Sequence, residues 1–98
     1  MIKIEREDGG KRGRFVISVN KAVAGEMTYT WAGKEKFIID HTIVGTNFGG
    51  KGYGKMLVDT AVEYARKSNL KIIPLCPFAK KVFDRNESLH DVLYGRIP

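Results

Sequence analysis

Apolar and polar residues alternate one by one through the first half of the chain, then switch to a spacing of three to four. The first habit belongs to half-buried strands, the second to a helix with one apolar face. In residues 1–6, Ile2 and Ile4 alternate with charged residues, an edge-strand pattern closed by the turn signal Asp8-Gly9-Gly10. In 14–19, Phe15, Ile17 and Val19 alternate with Val16 and Ser18, and Asn20-Lys21 turns the chain. In 23–31, Val23, Met27, Tyr29 and Trp31 are expected on one side, with Glu26, Thr28 and Thr30 on the other. Ala32-Gly33-Lys34 leads into 36–44, where strict alternation groups Phe37, Ile39, His41 and Ile43 on one apolar face. These runs predict an antiparallel meander of about four strands.

The helical pattern spans 52–68, with Leu57, Val58, Ala61, Val62 and Ala65 as its stripe and Asn69 as its left-handed end. Residues 70–76 read as a buried strand despite Pro74, which suggests a bulge or an unpaired edge. Strand, helix and strand in this order imply a parallel pair joined by a right-handed crossover. A short helix is expected over 78–85, with Pro77 at its first turn, and one more turn over 88–94 burying Leu89 and Val92. The predicted fold class is α/β (α+β): a mixed sheet whose N-terminal antiparallel meander precedes a β-α-β parallel unit and short C-terminal helices. It is expected as a single domain over 1–98. Val44 and Cys76 then sit at the carboxyl ends of parallel strands, where ligands of such sheets bind.

Between the strand and the long helix lies Phe48-Gly49-Gly50-Lys51-Gly52-Tyr53-Gly54-Lys55. A glycine-rich turn opening a helix offers unpartnered backbone N–H groups and the positive end of the helix dipole, which favour a phosphate. The spacing fits a nucleotide-hydrolysing P-loop as far as Lys55, but Met56 stands where Ser or Thr must hold magnesium. A dinucleotide fingerprint counted from Gly50 puts its third glycine at Lys55, so it fails too. A loop for the pyrophosphate of coenzyme A survives both tests.

Composition narrows this further. With 98 residues, 43% hydrophobic and 29% charged, the chain suits a small globular protein. No apolar run reaches membrane-span length, and residues 1–8 lack the apolar core of a secretory signal. A single cysteine excludes an internal disulfide and a cysteine-based metal cluster, so a cytoplasmic location, no metal and no membrane partner are expected. The net charge of +6 permits nucleic-acid binding and equally suits a polyanionic small ligand, and its cations are dispersed rather than clustered.

On these residues the chain resembles the GNAT superfamily of N-acetyltransferases, and more closely its small single-domain members. The central motif is matched by Val44-Gly-Thr-Asn-Phe48-Gly49-Gly50-Lys51-Gly52-Tyr53-Gly54, and the next motif by Cys76-Pro-Phe-Ala79-Lys-Lys-Val-Phe83. The His-Thr and Cys-Pro-Phe-Ala pairs of the small members are matched by His41-Thr42 and by Cys76 to Ala79, so that the resemblance covers about residues 23–94. It implies acetyl-CoA as cofactor, held by Ile43, Val44, Gly49, Gly50, Lys51, Gly52, Gly54 and Lys55, and acetyl transfer to an amine acceptor of unidentified structure. Gly49 departs from the usual Arg or Gln, and Phe83 from the tyrosine that protonates the leaving thiolate. The N-terminal helices that cover the acceptor in larger members have no counterpart in the pattern, and a monomer or weak homodimer is expected.

The chemistry then falls on Cys76 and His41. Cys76, just before a helix, fits a general acid or a nucleophile that takes the acetyl group first, and equally a small buried hydrophobe. His41 fits a base for the amine or a partner for Cys76, and equally a satisfied core histidine. His90 and Asp91 read as a helical turn rather than a dyad; Lys80 and Lys81 read as a solvated face that also reaches towards phosphates. A non-catalytic acyl-CoA-binding module and, behind it, a basic nucleic-acid-binding protein are the alternatives.

Overall fold

Five strands pair in chain order into one sheet, in a computed structural model that describes residues 1–95. They are β1 (Ile2–Asp8), β2 (Arg12–Val19), β3 (Ala22–Trp31), β4 (Lys36–Val44) and β5 (Lys71–Pro74). The first four run antiparallel to their neighbours, and β5 lies parallel to β4. Helix α1 (Tyr53–Ser68) makes the crossover, α2 (Pro77–Arg85) follows β5, and short 3-10 helices occupy Thr46–Phe48 and Glu87–Val92. This is the mixed α/β arrangement the patterning predicts.

Local chemistry fixes the connections. Asn20 (φ 50°) and Lys21 (φ 73°) both adopt left-handed conformations, as a two-residue hairpin turn matching the strand twist requires. Asn69 (φ 57°) ends α1, its N–H turned back on the carbonyls of Ala65 and Arg66. The stripe from Leu57 to Ala65 is fully buried and packs on Phe15, Ile17, Met27 and Phe37. Leucine- or valine-sized side chains buried in this way each contribute about 1.5–3 kcal/mol. Ala79 and Phe83 of α2 join the same cluster, so both helices cover one face of the sheet. On the other face Val23, Ile43 and Leu75 stay exposed, and no helix among the described residues covers them.

Two bulges overturn the strict alternation. The β2–β3 register slips between Ile17 and Ser18, leaving Ala24 as the extra residue. Ala24 is buried, and Val23, expected beside Met27 and Tyr29, points to the uncovered face. The β3–β4 register slips again: Tyr29 pairs with Ile39 and Thr28 with His41, leaving Asp40 extra. Beyond it the faces exchange, because an inserted residue shifts every later side chain by one. His41 and Ile43 are therefore exposed on the uncovered face rather than buried with Phe37 and Ile39. Thr42 and Val44 take the helix side instead.

The predicted strand over 70–76 is also corrected. It ends at Pro74, which has no N–H for further pairing. Leu75 turns its N–H back to the carbonyl of Ile73 and remains exposed, while Cys76 starts α2. The last turn buries Leu89 and Val92 as expected. Leu93 adds a parallel bridge to Ile72 that no periodicity announces.

Candidate functional site

β4 outruns β5. The parallel ladder stops at the Ile39–Pro74 pair, and His41 to Val44 keep partners on β3 alone. β5 ends there, leaving one backbone edge of β4 open to an extended ligand.

The glycine-rich loop lies just past this edge. Gly50 (φ 74°) and Gly52 (φ 80°) are left-handed, and a Cβ at either would meet open space. Glycine is needed for conformation here, and the emptiness leaves room for a ligand to approach the backbone. Gly52 caps α1 without a side-chain hydrogen bond, so the first-turn N–H groups remain available. Gly54 has a different duty: a Cβ there would stand 2.6 Å from the Phe78 ring. It permits α2 to close against α1 as well as bordering the loop.

The loop, the unpaired end of β4 and α2 border a cavity of about 670 Å³. Its inner wall is Thr42, Val44, Phe48, Tyr53, Phe78 and Val82, and the loop side is formed by Gly49, Gly50, Gly52 and Gly54. Lys55, Lys81 and Arg85 line it with cationic side chains. Lys55 is held by Asp59 at 2.9 Å, whereas Lys81 and Arg85 have no ion pair among the described residues. Lys80, one residue away, pairs with Asp84 at 3.3 Å and does not line the cavity. A largely apolar slot ending in cations and bare amides suits an amphipathic ligand with a polyanionic end.

Cys76 is buried as the N-cap residue of α2, with Pro77 at the first helical position. Its thiol donates to the hydroxyl of Thr42 across 3.5 Å, and its N–H bonds the Ile39 carbonyl at 3.0 Å. Thr42 lines the cavity, so the sulfur lies behind the wall, past the end of β5. His41 does not partner Cys76; it borders a second cavity on the uncovered face, together with Asp40. Phe83 is fully buried in the core and offers no hydroxyl. His90 bonds the Phe83 carbonyl through Nε2 at 2.6 Å and Asp91 pairs with Arg66 at 2.8 Å, so they form no dyad.

The structure thus gathers Val44, Gly49, Gly50, Gly52, Gly54 and Lys55 around one cavity, with Cys76 behind Thr42. Lys51 stays exposed in the loop, and the Ile43 side chain points the other way. Thr42, Phe48, Phe78 and Arg85 were not singled out by sequence as lining residues. Lys81 and Arg85 lie four apart on a helix, the spacing that puts them on one face. For Thr42 the only signal is its place beside His41, and the bulge that turns it inward is invisible in the sequence.

A family model described as GCN5-related N-acetyl-transferase matches residues 14–92. The NMR solution structure of a GCN5-like protein from Staphylococcus aureus is 37% identical, with a TM-score of 0.71 over 95% of this chain and 90% of that one. A ribosomal-protein-alanine N-acetyltransferase from Brucella melitensis biovar Abortus 2308 shares the fold at 18% identity and a TM-score of 0.68, over 79% of this chain and 62% of that one. A GNAT family acetyltransferase from Elizabethkingia anophelis, solved with acetyl-CoA bound, does so at 15% and 0.63, over 72% and 62%. Among curated proteins none matches this sequence.

Proposed function

Because this chain belongs to the GCN5-related N-acetyltransferase family, we propose that it transfers an acetyl group from acetyl-CoA to an amine. The observation that carries the reading is the cavity where the open β4 edge, the glycine loop and the cations of α2 converge. Its donor set fits the coenzyme. Amides of Gly49 to Lys55, with Lys51 and Lys55, would hold the diphosphate. Lys81 and Arg85 would meet its remaining phosphate. The backbone from Asp40 to Val44, Ile43 included, would pair with the pantetheine arm, and Phe48, Phe78 and Val82 would exclude water from it.

Bound acetyl-CoA supplies an acetyl group activated as a thioester. Backbone N–H groups of β4 near Thr42 would polarise the carbonyl, because fixed dipoles in a water-poor slot need no reorganisation. Cys76 is the proton donor for the departing sulfur, taking the place of the hydroxyl that Phe83 lacks. Thr42 orients its thiol. His41, on the opposite face of β4, is the base for the incoming amine.

Calorimetric titration with acetyl-CoA tests the binding half, and release of free coenzyme A thiol in the presence of an amine tests the transfer. Absence of binding heat in the wild-type protein would refute the reading. The buried Phe83 favours one second reading, an acyl-CoA-binding module without turnover; it predicts full binding heat with no acetylated product from any amine.

A further inference from the structure

The second cavity lies on the uncovered face of the sheet and encloses about 490 Å³. Thr28, Thr30, Asp40, His41, Leu75 and Arg12 border it. The bulge at Asp40 creates the arrangement: Asp40 and His41 face this cavity while Thr42, the next residue, lines the other. The two cavities are therefore back to back across β4, just past the end of β5.

The charged groups here have bonding capacity to spare. Asp40 accepts a hydrogen bond from the Thr30 hydroxyl at 2.6 Å through Oδ2, and Oδ1 has no partner among the described residues. The guanidinium of Arg12 and the imidazole of His41 have none either among the described residues. Neighbouring charges on the same face are already paired: Arg14 binds both Glu7 and Glu26, at 2.8 and 2.7 Å. Arg12 on β2 and Asp40 on β4 are separated by β3, which puts their backbones about 10 Å apart. One cavity thus has a carboxylate and a histidine at one end, a guanidinium at the other and hydroxyls of Thr28 and Thr30 between.

We infer that this cavity is the acceptor site and that it takes a free amino acid, holding the amine at Asp40 and His41 and the carboxylate at Arg12. The inference rests on the acetyl-transfer reading. A diamine would set its second ammonium against Arg12, and a lysine within a protein would leave that guanidinium without a counter-charge; an amino acid satisfies both ends. Its side chain would lie along Leu75, which is 66% exposed. The ammonium bound at Asp40 loses one proton to His41. The nitrogen lone pair then bonds the thioester carbonyl carbon, and the carbon–sulfur bond breaks. The nitrogen sheds its second proton as the sulfur gains one, so amide, free thiol and one released proton balance the reaction.

The test compares L-lysine with cadaverine, which carries the same amine and no carboxylate, at saturating acetyl-CoA. The expected result is a kcat/KM about tenfold or more in favour of lysine, falling to a ratio near one in Arg12→Gln. A second measurement avoids turnover: L-lysine titrated into protein saturated with coenzyme A should give binding heat that Arg12→Gln removes. Equal use of the two amines by the wild type, an unchanged ratio in the variant, or acetylation confined to a lysine-containing peptide would overturn the inference. So would intact acetyl-CoA binding with no lysine bound or modified. Failure of acetyl-CoA itself to bind would instead defeat the underlying reading.

Discussion

The thiol of Cys76 donates to the hydroxyl of Thr42 across 3.5 Å, tying the start of α2 to the stretch of β4 that has no β5 partner. A buried sulfur thereby reaches the wall of the larger cavity through a neighbour 34 positions away. Two substitutions separate its roles. Cys76→Ala should lower the rate of acetyl transfer by about 10²-fold, the usual scale for a lost acid, with acetyl-CoA binding heat retained. Thr42→Val should lower kcat with little change in KM for acetyl-CoA, and Thr42→Ser should restore it. Full turnover by Cys76→Ala on an accepted amine would remove the thiol from the chemistry.

Gly52→Asp should abolish acetyl-CoA binding. The carboxylate would sit where the diphosphate is expected, and an L-residue at φ 80° costs about 1 kcal/mol. Nothing lies within 4 Å of the new Cβ, so circular dichroism should still report a folded protein. Unchanged binding heat would place the phosphates elsewhere.

The cations of α2 make a sharper contrast. Lys81→Ala and Arg85→Ala should each weaken acetyl-CoA binding several-fold, more at low salt than at high salt, since exposed charges are screened. Lys80→Ala should not, because that side chain pairs with Asp84 away from the cavity. Equal losses from all three would indicate a diffuse field effect instead.

Gly13 is predicted to be intolerant for a packing reason. A Cβ there would stand 2.4 Å from the Tyr29 ring and 2.7 Å from the Glu7 carbonyl oxygen, a backbone atom that cannot swing aside. Overpacking of this kind costs about 1–3 kcal/mol. Gly13→Ala should therefore lower the melting temperature by roughly 5–20 °C. A melting temperature within a degree of wild type would show that β1 and β2 yield more than their pairing suggests.

Asp8 sets an acid limit on stability. It accepts hydrogen bonds from the Tyr29 hydroxyl at 2.6 Å, the Trp31 indole at 2.8 Å and the Gly10 N–H at 2.8 Å. The bond from Tyr29 is the main cause of its lowered pKa, with Trp31, Gly10 and nearby Arg6 acting in the same direction. Burial, followed by the bond to this carboxylate, pushes Tyr29 up to about 12. A carboxyl more acidic when folded contributes stability above its unfolded value, about 3.9, and loses it as pH falls through the folded value. Unfolding in urea should show stability declining below about pH 4, with a shallower acid limb in Asp8→Asn. Identical limbs would assign the acid sensitivity to other carboxylates, such as Asp91 beside Arg66.

The order of strands, the long helix and the glycine loop were all legible along the chain, because each depends on neighbours within a few residues. Alternation marks a half-buried strand, a left-handed turn favours Asn or Gly, and bare glycines before an apolar stripe announce a helix start. The faces were not legible. A bulge depends on how two strands pair, so nothing local tells that Asp40 is the extra residue or that Ala24 displaces Val23. The insertion at Asp40 decides that Thr42 rather than His41 meets Cys76, and that His41 borders a cavity on the opposite face. The motif supplied the candidate residues, and cross-strand register distributed them between two sides of one sheet.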